Sequence, residues 1–311
     1  MKYIKNFSQI NKDNVDQVGG KGASLGEMTS AGFPVPPGFV IVAEAYDVFD
    51  NSFSLDLNSA IHKINFADTN SIEKASNYIR DVMNDSKIPE KISKEILEAH
   101  SELNAKLVAV RSSATAEDSS IASWAGELET YLNTTKENLN ENIKKCWSSL
   151  FTPRAIFYRY EKQLTDQKVS VAVVVQKMIE SEVSGICFTV HPVTKDRNQM
   201  IIEAGWGLGE AVVSGSITPD SYVLDKSDFA LLDINVAEQE KMLKLKGASG
   251  NEWKEVAETK KDQQKLNGEK IIELAKLCKK IEEHYGSPQD IEWAYADDKF
   301  YITQSRPITT L

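Results

Sequence analysis

The residues with the clearest chemical potential lie near the C-terminal end, in Asp-Ile-Glu-Trp-Ala-Tyr-Ala-Asp-Asp-Lys-Phe-Tyr-Ile-Thr-Gln-Ser-Arg, positions 290 to 306. Two β-prone runs flank Asp297-Asp298, the pattern of a hairpin. Alternation along each strand puts Ile291, Trp293, Tyr295 and Tyr301 on one face, and Glu292, Phe300, Ile302, Gln304 and Arg306 on the other. With a three-residue loop, Ala296 pairs with Phe300 and Glu292 falls opposite Gln304, their Cβ atoms about 5 Å apart. A carboxylate and an amide oxygen so placed suit a hard cation whose shell is completed by water and phosphate oxygens, and the fork of Arg306 suits phosphate. A solvated strand face with a cross-strand Glu and Arg is the alternative, and the commoner one for these residue types.

Further upstream, Val18-Gly19-Gly20-Lys21-Gly22-Ala23-Ser24-Leu25-Gly26-Glu27-Met28 surrounds a lysine with glycines. Glycine lets backbone approach a ligand closely, and lysine supplies a point charge for phosphate. The P-loop pattern fails, because Gly22 follows Lys21 and Val15 stands where the first glycine belongs. A glycine-rich turn before a helix is the plainer reading. A short strand, residues 107 to 110, leads into Arg-Ser-Ser-Ala-Thr-Ala-Glu-Asp-Ser-Ser (111 to 120), which has no apolar residue larger than alanine. We expect a mobile hydrogen-bonding loop there, with Arg111 anchored at the strand end above an anion. A second glycine motif, Gly205-Trp206-Gly207-Leu208-Gly209-Glu210, misses the dinucleotide fingerprint because Glu210 replaces its third glycine.

The elements that would position these residues mix strands and helices. Residues 43 to 106 carry apolar side chains at helical spacing, as in Ala75, Ile79 and Val82, and read as amphipathic packing helices. His62 and His100 in this stretch have no partners at metal-ligand spacing and read as surface or satisfied histidines. Thr134 with Glu137 suggests a capping box, and Thr152-Pro153 a helix restart. The β-branched run Val169 to Met178 predicts a strand buried on both faces, with polar Gln176 near its end. Further strands are predicted around 184–190, 200–204 and 221–224, then a hydrophilic stretch to 268. A helix from about 271 to 285 follows, stopped by Gly286 and Pro288. The fold class expected is α/β, or mixed α+β.

Composition bounds the rest. The 311 residues allow one large or two ordinary domains, and 46 acidic against 36 basic residues give a formal charge of −10. That balance argues against general nucleic-acid or anionic-membrane binding, so an anionic ligand needs a local cluster of Lys and Arg. Cys146, Cys187 and Cys278 are widely spaced without C-x-x-C, against a disulfide framework or zinc site and consistent with a reducing cytosol. No apolar run approaches the ~18 residues of a membrane span, and the first residues lack a signal-peptide core. A cytoplasmic protein is expected.

Five collinear stretches carry a resemblance: Gly-Gly-Lys-Gly-Ala-Ser-Leu-Gly-Glu-Met (19 to 28), Pro-Val-Pro-Pro-Gly-Phe (34 to 39), Val-Arg-Ser-Ser-Ala-Thr-Ala-Glu-Asp (110 to 118), Trp-Gly-Leu-Gly-Glu (206 to 210) and Gln-Ser-Arg-Pro (304 to 307). Together they resemble the ATP-grasp nucleotide-binding domain shared by phosphoenolpyruvate synthase, pyruvate phosphate dikinase and rifampin phosphotransferase. The resemblance implies an ATP-grasp fold of two subdomains, 1–180 and 181–311, with ATP clamped between them. It implies transfer of the β,γ-phosphates to a histidine on a separate swivelling domain, then to an acceptor. By motif, Lys21 and Arg111 hold phosphates, Gly126 and Thr130 belong to a phosphate-facing segment, and Gln176 lies near the adenine. Glu292 and Gln304 bind Mg²⁺, and Arg306 stabilises the transferring group.

Two residues depart from the family pattern: Glu127 stands where glutamine is commoner, and Trp124 replaces a common phenylalanine. None of the four histidines has the context of a phosphohistidine. We therefore expect a fragment or a stand-alone subunit, completed by a phosphohistidine domain and an acceptor-binding domain in cis or in trans. Pyruvate is the first expectation for the acceptor and rifampin the alternative. A nucleotide-binding regulatory module without phosphotransfer is the rival from another class.

Overall fold

The computed structural model describes residues 1–51, 53–115, 129–164, 169–247 and 250–309, with backbone alone at 54–56 and 58. The chain is α/β and divides into two compact units, residues 1–30 with 37–178, and residues 31–36 with 179–311.

The first unit comprises β1 (Ile4–Asn6), α1 (Val15–Ser30), β2 (Gly38–Ile41), α2 (Ala43–Asp50), α3 (Ser54–His62), α4 (Thr69–Asp85), α5 (Glu90–Leu103), β3 (Val108–Ala114), β4 (Thr130–Thr134), α6 (Leu139–Ser148), α7 (Pro153–Glu161) and β5 (Val171–Lys177). Its sheet runs β1-β2-β5-β3-β4 with every pairing antiparallel. The valine-rich run forms the central strand β5, where Val171 to Val175 are fully buried. The helical stretch packs as its spacing predicts, with Ile79, Met83, Ile92 and Ile96 in a core that includes Phe49, Phe53 and Trp147. Thr152 caps α7, its side chain accepting from the Ala155 amide at 3.1 Å behind Pro153.

Two local expectations fail here. The Thr134–Glu137 capping box does not form: Thr134 ends β4, its Oγ1 accepts from Asn142 Nδ2, and α6 starts only at Leu139. Residues 111 to 114 are not loop but the buried second half of β3. Their hydroxyls escape the cost of burial because each is hydrogen-bonded to backbone. Ser112 Oγ donates to the Glu129 carbonyl, and Ser113 Oγ to the Val18 carbonyl.

The second unit comprises β6 (Val183–Phe188), β7 (Gln199–Trp206), α8 (Glu210–Val213), β8 (Asp220–Asp225), β9 (Leu231–Asn235), β10 (Lys241–Leu245), β11 (Asn251–Glu255), α9 (Gly268–Tyr285), β12 (Gln289–Ala296) and β13 (Lys299–Pro307). Its antiparallel sheet has the order β13-β12-β6-β7-β8-β9, and β10 and β11 form a separate ribbon. Helix α9 packs on the sheet over β7 and β12 through Ile271, Leu274, Cys278 and Ile281, and Gly286 ends it in the left-handed conformation. The Trp-Gly-Leu-Gly-Glu motif is the turn from β7 into α8. Gly207 has φ +91° there, and a Cβ on it would lie 2.4 Å from the Leu243 carbonyl oxygen, so only glycine fits.

Candidate active site

In the first unit the glycine-rich stretch is helix with one break. Gly19 takes φ 70°, ψ 172°, which leaves a fresh helical start at Gly20 and Lys21. An 11-residue helical run (20 to 30) thus opens beside a lysine, and a helix start favours anions. Arg111, only 8% exposed, sits in β3 opposite Val174 of β5 and Thr130 of β4. The sheet therefore brings Arg111 and Thr130 together as neighbours, while Gly126, Glu127 and Trp124 lie outside the described residues.

Gln176 lies on β5 opposite Ala109 and Gly38 and is 3% exposed. Its Nε2 finds no hydrogen-bond partner among the described residues. An unpaired buried amide costs on the order of 1–3 kcal/mol, a cost that a ligand acceptor would remove.

Sequence reasoning missed Glu129, which anchors this strand pair. Its carboxylate accepts from Arg80 Nη2 at 3.1 Å to each oxygen and from the Tyr131 hydroxyl. Its carbonyl accepts from Ser112 N and Ser112 Oγ. Burial and the neighbouring Glu129 push the Tyr131 phenol well up, so it remains a donor. The available signal was positional: Glu129 immediately precedes Thr130 at the strand start.

In the second unit the hairpin is real but closes differently. Asp297 and Asp298, both at positive φ (50° and 58°), form a two-residue turn that pairs Ala296 with Lys299. An unbroken register would then set Glu292 against Thr303. A bulge between the Trp293–Ile302 and Glu292–Gln304 pairs adds one residue to β13, and Glu292 meets Gln304 after all.

The two-residue turn also corrects the expected faces of the residues between it and the bulge. Phe300 and Ile302 join the core face: Phe300 packs on Trp293 and Tyr295 with ring centroids 5.7 and 4.8 Å apart, and Ile302 is fully buried. Tyr301, expected on the core face, instead pairs with Ala294 on the opposite face, which toward the strand end carries the polar row of Glu292, Gln304, Asp290 and Arg306. Gln304 Nε2 donates to Glu292 Oε1 at 3.1 Å, and Arg306 Nε and Nη2 donate to Asp290 Oδ2 at 2.9 and 2.7 Å.

Asp290 and Glu203 are the residues the sequence reading passed over here. Asp290 lies two residues from Glu292, so strand alternation alone could have found it. Burial raises its carboxyl above the usual range against the opposing pull of Arg306. Glu203 on β7 lies opposite Ile186, itself opposite Glu292, which puts a further carboxylate in the same cross-sheet row. Burial and the charge of Asp290 raise the Glu203 carboxyl too.

Among the described residues, no three or more His, Cys, Asp or Glu side chains are grouped to hold a metal ion. Glu292 and Gln304 together offer one carboxylate and one amide, a partial donor set. That suits Mg²⁺, which keeps waters and takes phosphate oxygens, and it does not suit zinc or calcium cages. A cation there needs the Gln304 amide turned so that its oxygen faces Glu292.

A mixed α/β chain carrying a Lys/Arg pair in one unit and a carboxylate, amide and guanidinium row in the other has the equipment of a nucleotide-handling protein. Its sequence matches the family described as pyruvate phosphate dikinase, AMP/ATP-binding domain, over residues 15–311, and the chain belongs to that family. It is 44% identical over its whole length to a probable phosphoenolpyruvate synthase of Methanocaldococcus jannaschii, covering 27% of that protein. It is 40% identical over its whole length to the phosphoenolpyruvate synthase of Pyrococcus furiosus, covering 44% of it. It is 38% identical over 99% of its length to a rifampicin phosphotransferase of Bacillus cereus, covering 36% of it. The chain thus spans less than half the length of these relatives. Among the described residues no helix is long and apolar enough to cross a membrane.

Proposed function

We propose that this chain binds Mg²⁺ and ATP and serves the first half-reaction of a dikinase, in which the β,γ-phosphates of ATP pass to a histidine on another domain or subunit. The observation that carries the reading is the opposition of Glu292 and Gln304 on a strand face shared with Arg306. Such a row has no packing purpose, and phosphoryl transfer asks for little beyond positioning and charge neutralisation.

In this reading Lys21 and Arg111 hold phosphate oxygens, Thr130 and Gly126 line the phosphate segment, and Gln176 gives its unpaired amide to the adenine. Arg306, fixed by Asp290, stabilises charge on the group in transfer. Glu292 and Gln304 hold Mg²⁺, which when bound neutralises phosphate charge. The final acceptor is pyruvate, by likeness to the phosphoenolpyruvate synthases. The Bacillus cereus relative supports a second reading, with rifampin as acceptor. The partners are then a phosphohistidine domain and an acceptor-binding domain.

The test is a calorimetric titration of the purified chain with ATP, with and without Mg²⁺, repeated on Glu292→Ala. The expected result is binding strengthened by Mg²⁺ and a loss of that strengthening in the variant. No ATP binding under either condition would overturn the reading.

A further inference from the structure

We infer that Ser113 is a positioning residue for Lys21, an inference that rests on the phosphate-binding role proposed for Lys21 and Arg111. The Ser113 hydroxyl is fully buried and donates to the Val18 carbonyl at 2.9 Å while accepting from the Gly22 amide at 3.3 Å. Val18 and Gly22 are an i, i+4 pair that flanks the break in α1, and Lys21 lies between them. One hydroxyl from a neighbouring strand therefore grips both sides of the break.

The fit leaves no room for another side chain. A Cβ on Gly19 would come within 2.2 Å of Ser113 Oγ and 2.4 Å of Ser113 O, at a φ of +70° that already disfavours any other residue. The geometry makes the glycine and the serine one joint. Arg111 lies two residues before Ser113 on β3, so both point to the same face of the sheet. Ser112, between them, points the other way, bonding to the Cys146 carbonyl and the Ser149 hydroxyl. The strand that carries Arg111 thereby sets where the Lys21 segment sits. The two cations are held at a fixed offset before any anion arrives, which is preorganisation of the kind that phosphate binding rewards.

A mere packing role predicts something different, because alanine fills nearly the volume of serine. The deciding experiment is a double-mutant cycle of Ser113→Ala and Lys21→Ala, read as ATP affinity in the presence of Mg²⁺, alongside hydrogen exchange of the Gly22 amide. Ser113→Ala is expected to weaken ATP by roughly fivefold to tenfold, the worth of a hydrogen bond. It should have no further effect once Lys21 is removed. Ser113→Cys, which keeps the shape with a weaker donor, should fall between. Gly22 exchange should accelerate in Ser113→Ala with the amides of β3 unchanged.

Equal losses in both Lys21 backgrounds, or unaltered ATP affinity, would overturn the inference, as would unaltered Gly22 exchange. If the unsubstituted chain binds no ATP, the functional reading falls with it, and the exchange comparison then decides by itself whether Ser113 fixes the segment.

Discussion

Glu292 and Gln304 face one another only because a two-residue turn and a one-residue bulge act together, the bulge supplying the residue that the turn leaves out. The pair carries one formal charge, which sets what substitutions there should do. Glu292→Gln removes that charge and should cost Mg²⁺-dependent ATP binding about 1.5–3 kcal/mol, the worth of a charged contact. Gln304→Glu should act in the other direction on the cation. Two carboxylates at cross-strand distance attract Mg²⁺ without nucleotide, while their repulsion destabilises the hairpin in its absence. Calorimetry with Mg²⁺ alone reads the first effect and melting with and without Mg²⁺ the second. If Gln304→Glu leaves both unchanged, the pair is not a cation site.

On the roles proposed for Arg111 and Gln176, the first unit separates phosphate from base. Arg111→Ala should weaken ATP and inorganic tripolyphosphate alike, by about 1.5–3 kcal/mol. Gln176→Leu should weaken ATP by about 1–3 kcal/mol, since its amide would no longer meet the adenine, and leave tripolyphosphate unaffected. Competition binding with the two ligands separates these cases. A Gln176→Leu chain that loses both ligands equally would mean the amide supports the sheet and does not read the base.

How far the sequence announced all this varies with the physics involved. An unbroken β-branched run found β5, buried on both faces, and helical periodicity found the helices of the first unit, because one-sided burial imposes a period on an element that packs. Hairpin pairing set Glu292 opposite Gln304, and the strands do oppose them, with Arg306 opposite Asp290. Residue type misled at 111 to 114, where serine reads as loop and the structure has buried strand. What makes that burial tolerable is hydrogen bonding to Val18 and Glu129, partners 95 and 17 residues away that no local pattern displays. Phe300, Tyr301 and Ile302 were assigned to the wrong faces for a related reason, since a turn one residue shorter flips every side chain up to the bulge, and the bulge that restores Gln304 leaves no compositional mark. Glu203 was likewise visible only once strands were paired, whereas Asp290 follows from alternation along its own strand.

A buried ion pair in the second unit gives a stability prediction apart from the site. Lys265 Nζ lies 2.8 Å from Asp220 Oδ1 with both side chains fully buried. The other Asp220 oxygen accepts from the Tyr222 hydroxyl at 2.6 Å and the Lys265 amide at 2.9 Å. Lys265 Nζ also donates to the Ala237 carbonyl. Removing one partner strands a charge, so Lys265→Met should cost about 3–5 kcal/mol. Changing both residues, Asp220→Asn with Lys265→Met, should cost less than the single change. Urea unfolding of the three chains measures this, and a single variant no less stable than the double would refute it.

His100 gives the pH dependence. It is 5% exposed on α5, its Nε2 finds no partner among the described residues, and burial, aided by the Lys136 charge, lowers its pKa below the usual histidine value against the smaller pull of Glu137. The expectation of a surface or satisfied histidine therefore fails for His100 and holds for His62, which is exposed. Because its folded pKa lies below its unfolded one, the unfolded chain binds the proton more readily. The neutral ring's contribution is present in full above the unfolded value, near pH 6.5, and is lost as pH falls through the lowered folded value. A His100→Gln chain, which cannot take up that proton, should show a shallower loss of stability below pH 6.5 than the unsubstituted chain. Melting curves collected between pH 7.5 and pH 5 compare the two slopes, and parallel slopes would assign the acid limb to carboxylates instead.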